Sequence, residues 1–293
     1  MIYSIENAAL RVEVDSHGAE LKSIKAKASN TEYLWQGDPN SWKYRAPFLF
    51  PIVGKVNNGK YQAEGKIFEL PQHGLARISE FECVEQEDNL LAFEFKYSNE
   101  TLTKYPYKFS FKVLYILNGN ELKVSIQVEN LDDKVIYFSF GAHPGFKCPR
   151  CEGEKFTDYY LEFNRSETAN VYLLDAATGL LNRQSQDYFE DNDKLNLSHD
   201  VFKNDALVFK DLKSNAISLK SKHNHKSLTM RFDDFTWFGI WSKATEADFV
   251  CLEPWCGHAD FVGFNDDISK KDAIEQLNVN ESMERNFTLT IED

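Results

Sequence analysis

Four short stretches of this chain carry side chains that can move protons. His73-Gly74-Leu75-Ala76-Arg77 places an imidazole and a guanidinium on one connection between strand-like segments. Gly141-Ala142-His143-Pro144-Gly145-Phe146 sets a second imidazole at the end of a strand-like run. Cys251-Leu252-Glu253-Pro254-Trp255 puts a carboxylate directly behind apolar residues, and Asn204-Asp205-Ala206-Leu207-Val208-Phe209 offers a second acid ahead of an apolar run. Each has an ordinary reading: histidine beside glycine is a common turn residue, and Asn-Asp is common turn chemistry. Glu253 is harder to dismiss. A carboxylate after Phe-Val-Cys-Leu is either exposed at a strand end or buried at a cost unless paired. Two imidazoles and a carboxylate, with no nucleophile motif and no phosphate loop, suit general acid–base transfer to and from a neutral substrate.

The elements that must hold these groups are strands. Residues 9–14 alternate apolar and polar, then turn at Ser16-His17-Gly18. Residues 56–70 read as strands separated by an Asn-Asn-Gly and a Glu-Gly turn, residues 81–97 as a hairpin, and residues 107–130 as a longer hairpin around Asn118-Gly119-Asn120. Residues 135–140, 216–220, 227–232, 249–252 and 286–291 continue the pattern. Helical signals are confined to a turn or two at 101–105 and 271–277, too short to cross between parallel strands. An all-β fold, a large antiparallel sandwich with few short helices, follows. No linker, composition shift or repeat divides the chain, so residues 1–293 are expected to form a single domain. Residues 187–205 are polar and acidic and read as a surface excursion. His17, His199 and residues 222–226 read as turn or hairpin-tip residues.

Composition narrows the partners. The 293 residues carry a formal net charge of −13. Such a surface repels nucleic-acid phosphate and anionic membrane, so neither partner is expected. Five scattered cysteines, an odd count, argue for a reducing compartment over a disulfide framework. The opening residues lack a basic flank followed by an apolar core, and no apolar stretch approaches the ~20 residues of a spanning helix. A cytoplasmic protein is the expectation.

Ordered along nearly the whole chain, these motifs resemble the galactose-mutarotase-like, or aldose 1-epimerase, superfamily. Arg45-Ala46-Pro47-Phe48-Leu49-Phe50-Pro51-Ile52-Val53-Gly54 is similar to its early Arg-Pro-Leu-Phe-Pro segment. HGLAR at 73–77, GAHPGF at 141–146, Asp205 within 204–209 and CLEPW at 251–255 resemble its later motifs. Residues 273–291 look like its closing stretch, with Val279-Asn280-Glu281 where Pro-Gly-Glu is usual. The resemblance implies a β-sandwich of supersandwich type with a ligand cleft. It implies an isomerase that interconverts the α and β anomers of an aldohexose such as galactose or glucose, or its 6-phosphate, without cofactor or metal. Carried over by residue, Glu253 matches the base that takes the O1 proton and His143 the acid that protonates the ring oxygen. His73 matches a second imidazole beside that oxygen, and Arg45 and Asp205 match substrate-positioning groups. Arg77 matches a residue that binds hydroxyls or, in the hexose-phosphate branch, phosphate. On these roles His143 is protonated and Glu253 ionised. Trp255 is the tryptophan expected to face the sugar, with Trp237 and Trp241 in the core.

Three other readings compete. Cys148-x-x-Cys151 with Cys256 and His258 contains a zinc half-site, although its second half lacks a usual spacing. Glu253 with Asp205 could serve glycoside hydrolysis, which needs two carboxylates astride the bond. A carbohydrate-binding or sensing protein with the same cleft and no turnover would retain the cleft while its catalytic residues drift, so keeping both histidines and Glu253 favours the enzyme.

Overall fold

The structure is a computed structural model describing residues 1–245 and 247–293. Strand accounts for 52% of it and helix for 7%, so the all-β reading holds. Its main body is a 15-stranded antiparallel sheet. The sheet runs from Phe48–Leu49 through Phe140–Ala142, Phe249–Cys256, Trp237–Trp241, Leu207–Lys210 and Tyr159–Leu174. It continues through Ala216–Ser221, Ser227–Arg231, Ser282–Glu292 and Glu121–Asn130 to Phe109–Asn118, Leu90–Lys96 and Glu82–Gln86. Gly145–Lys147 adds to Phe249–Cys256, and Leu181–Asn196 to Tyr159–Leu174. A separate three-stranded sheet holds Ile2–Glu6, Leu10–Asp15 and Glu20–Ala26.

Aromatic contacts show that the long sheet folds back on itself. Phe48 sits at one end of the strand order, yet its ring lies 6.4 Å from those of Phe111 and Tyr115 near the other end. Phe50 packs 4.8 Å from Phe109 and 4.7 Å from Phe111. Two layers therefore face each other across one apolar core, whose buried cluster includes residues from Ile5 to Ile291. Burial of these large rings supplies most of the driving force.

Several local expectations are corrected. Residues 271–277 form no helix: Ala273 has φ +54°, which breaks helical backbone, and Glu275–Leu277 is a strand paired with Ile136–Phe138. The helix near residue 101 is a single turn, Asn99–Leu102, closed by a Ser98–Thr101 capping box. Most of the supposed surface excursion at 187–205 belongs to Leu181–Asn196, one arm of a long ribbon with Tyr159–Leu174. Register shifts in that ribbon break the alternation that would have disclosed it. Among the described residues, no helix is long and apolar enough to cross a membrane.

Candidate active site

Six strands build the site: β1 (Phe48–Leu49), β2 (Phe140–Ala142), β3 (Gly145–Lys147), β4 (Leu207–Lys210), β5 (Trp237–Trp241) and β6 (Phe249–Cys256). β6 is buried along its whole length. Alternation puts Cys251, Glu253 and Trp255 on one face. Each has a glycine beside it on a neighbouring strand: Gly145 for Cys251, Gly239 for Glu253 and Gly141 for Trp255. A Cβ on Gly239 would lie 2.7 Å from the Trp255 ring, and one on Gly141 would lie 2.8 Å from it. These missing side chains leave room for the carboxylate and the indole.

A cavity of about 520 Å³ opens above this face. His73, Arg77, His143, Asp205, Glu253 and Trp255 all line it. Glu253 lies on its floor, 1% exposed, with Oε2 3.1 Å from His143 Nε2. That oxygen makes no hydrogen bond despite the short approach, and neither does His143 Nδ1. His143 is held from outside: its N–H donates to Pro47 O, Trp42 stacks on the imidazole at 4.9 Å, and Trp241 meets it edge-on at 5.7 Å.

His73 is fixed through its backbone, in the left-handed region at φ +64°. Its N–H donates to Gly54 O at 2.7 Å, and Gly54 N–H donates to its Nδ1 at 3.1 Å. An accepting Nδ1 places the ring proton on Nε2, leaving that nitrogen as a donor. The following Gly74 is required as glycine, because φ is +72° and a Cβ would lie 2.4 Å from Phe50 O. The His73 and His143 rings meet at 5.6 Å.

Burial dominates the electrostatics. It raises the Glu253 carboxyl well above its usual range, with Asp205 adding repulsion in the same direction. The Trp255 indole opposes that rise, although Trp255 Nε1 makes no hydrogen bond of ordinary geometry. His143 is pushed down to about 3, by burial first and by Arg77 in the same direction, against its own backbone carbonyl. His73 falls well below 6.5 through burial, His143, Arg77 and Lys55. The closed pair thus favours neutral acid and neutral imidazole, where the sequence suggested carboxylate and imidazolium.

Arg45 is placed elsewhere. It is absent from the cavity lining, and its Nη1 donates to Lys22 O and Gln36 Oε1. The segment it belongs to does reach the cavity, because the buried Glu20 carboxylate accepts from the N–H groups of Arg45 and Ala46 and hangs the loop there. Trp42, Lys43 and Tyr44 are the lining residues of that loop. Trp241 also lines the cavity, whereas Trp237 is buried and packs 4.3 Å from His258. Lys43, Lys55 and Arg77 form a cationic rim. Among the described residues none of the three is ion-paired. Arg77 stacks over Tyr44 at 4.8 Å, donates to Gln72 O, and has a buried Nε without a partner. The zinc half-site is not assembled among the described residues: both His258 nitrogens are engaged, by Ala259 O and Asp272.

The family model for aldose 1-epimerase matches residues 1–268. The chain belongs to the aldose 1-epimerase family. It is 35% identical over 298 residues to protein LacX, chromosomal, of Lactococcus lactis, covering 99% of each chain. A galactose mutarotase related enzyme from Lactobacillus acidophilus superposes with a TM-score of 0.96 at 34% identity, covering 100% of this chain and 98% of that one. A galactose mutarotase-like protein from Lactobacillus casei gives 0.93 at 28% identity, with 100% of both chains covered. Family membership points to an isomerase that binds sugar.

Proposed function

We propose that this family member is a working aldose 1-epimerase for aldohexoses, and that its rim favours the 6-phosphate over the free sugar. One observation carries the reading: His73, His143 and Glu253 converge on one cavity, with a buried carboxylate oxygen 3.1 Å from an imidazole nitrogen and bonded to nothing. Ring opening moves a proton from O1 to the ring oxygen. Glu253 as base takes the first, His143 as acid gives the second, and the Nε2 proton of His73 holds the ring oxygen in place. Rotation about C1–C2 and reversal of the transfers closes the ring as the other anomer. Each positioned group contributes ~10²–10⁴-fold.

These roles need the charge-separated pair, which the buried site disfavours. Substrate hydroxyls donating to Glu253 stabilise the carboxylate, and an anion at Arg77 removes one of the charges that lower His143. The same rim explains a preference for phosphate. Three cations without carboxylate partners stand on a protein of net charge −13, and a guanidinium suits a phosphate in bidentate fashion.

Anomer exchange by NMR saturation transfer tests this on galactose, glucose and their 6-phosphates, with Glu253→Gln as control. Acceleration lost in the variant is the expected result, fastest for a 6-phosphate. Sugar binding without acceleration on any of them would establish the binding-protein reading in its place.

A further inference from the structure

Proton transfer has no use for one side chain that stands beside His143 and Glu253 without itself lining the cavity. Cys251 is fully buried, is not in a disulfide, and leaves β6 on the same face as Glu253. A nitrogen of His143, the sulfur of Cys251 and a carboxylate oxygen of Glu253 all lie within 4.8 Å of one another. Gly145 pairs with Cys251, and the Trp42 ring packs over it: a Cβ there would lie 2.8 Å from Trp42 and 3.4 Å from the sulfur. Glu253 Oε2 and His143 Nδ1 are both buried without hydrogen bonds, so neither atom is committed to another polar partner.

We propose that His143, Cys251 and Glu253 form a three-ligand site for a thiophilic divalent ion of the zinc class, with its fourth position open to the cavity. Ligand bonds of ~2.0–2.3 Å in tetrahedral geometry set ligand–ligand separations at roughly 3.3–3.8 Å. The His143–Glu253 approach of 3.1 Å is close to that already, and the other two pairs lie within 4.8 Å, at most about 1 Å beyond it. One nitrogen, one sulfur and one oxygen select zinc or cobalt over magnesium or calcium, which prefer all-oxygen shells. Binding takes the proton from the Cys251 thiol and requires Glu253 as carboxylate, and the two negative charges then cancel the dication. The buried cluster is left without net charge, unlike the imidazolium–carboxylate pair next to Asp205. The metal occupies lone pairs that the acid and the base need, so metal and proton transfer exclude each other at this floor.

Cobalt(II) titration of the wild-type protein, without sugar, reads the site directly. Expected are one bound equivalent, a near-ultraviolet thiolate-to-cobalt charge-transfer band, and its bleaching by zinc. Cys251→Ala should abolish the band and weaken binding by more than the ~10–100-fold that loss of an outer-shell partner costs. Glu253→Gln, which keeps the shape of the floor, should retain the band at weaker affinity. Cys151→Ser should behave as wild type. Absence of a stoichiometric band, its survival in Cys251→Ala, or unchanged affinity in Glu253→Gln would each overturn the proposal. None of these readouts depends on anomer exchange, so their failure is separable from failure of the epimerase reading.

Discussion

Two buried ionisable clusters stand seven residues apart on one stretch of chain, and the fold treats them differently. Asp260 and Lys271 are each 3% exposed in their side chains and meet at 2.8 Å. The second Asp260 oxygen accepts from Asn57 N–H at 2.9 Å, while the main chain of Asp260 bonds to Lys55 and Leu181. Every strong group there has a partner. Glu253 and His143 are also buried, yet Glu253 Oε2, His143 Nδ1 and Trp255 Nε1 are left without hydrogen bonds. The first arrangement fastens the Lys55–Asn57 loop to the end of the sheet. The second keeps polar capacity open toward a cavity. Unsatisfied buried polar atoms are costly, and a fold that satisfies one cluster and leaves its neighbour open is what the proposed ligand site requires.

Breaking each cluster should therefore have opposite consequences. Glu253→Gln should lower anomer exchange by at least ~10²–10⁴-fold, the contribution of one positioned base, while thermal unfolding shows no loss of stability. A variant that unfolds readily would make Glu253 a structural residue and erase the contrast. Lys271→Met should do the reverse. Leaving Asp260 buried and unpaired costs ~3–5 kcal/mol, and replacing both partners by apolar residues recovers much of it. Denaturant unfolding of the single and double variants measures this. A double variant no better than Lys271→Met would show that the Asn57 contact, not the ion pair, fastens the loop.

The rim sharpens the comparison, because its charges are also unpaired but near solvent. Arg77→Ala should weaken binding of a hexose 6-phosphate by ~10–100-fold, the equivalent of one charge-assisted hydrogen-bond pair at ~1.5–3 kcal/mol. Affinity for free hexose should hardly change. Equal loss for both sugars would reduce Arg77 to a brace for the His73 loop through Gln72.

How much of this was legible follows from side-chain type. His73, His143, Asp205 and Glu253 stood out because titratable groups beside Gly, Pro or apolar runs are uncommon without a purpose, and the cavity gathers all four. Trp42, Tyr44 and Trp241 did not, since an aromatic lining a cavity has the same local pattern as one in a core built from 23 Phe and 13 Tyr. Lys43 and Lys55 look like any surface lysine until the fold brings them to one mouth. Arg45 was assigned from its motif, but the loop turns its side chain toward Lys22 and Gln36 and presents its neighbours instead. The glycines that open the floor were visible one at a time; only strand pairing shows that Gly141, Gly145 and Gly239 all stand beside β6. The long ribbon at 159–196 was obscured by its own bulges.

The smallest effect tests the protonation of the open cluster. Burial raises Glu253, so the folded chain holds that proton more tightly than the unfolded chain does. Its contribution to stability is full below the ordinary value of 4.5 and is lost as pH rises through the raised value. His143 runs the other way. Lowered from 6.5 to about 3, it contributes fully above 6.5, and that stability is lost as pH falls toward 3. Glu253→Gln, neutral at every pH, should therefore flatten the alkaline side of a Tm–pH curve. His143→Gln should flatten the acid side, with the further decline owed to His73 and His258, both also lowered by burial. If Glu253→Gln instead lost stability only on the alkaline side, the fold would be holding a carboxylate, and the resting pair would be charge-separated before any sugar arrives. The two outcomes differ in the sign of one slope, and that sign decides whether substrate must create the proposed ion pair or merely meets it.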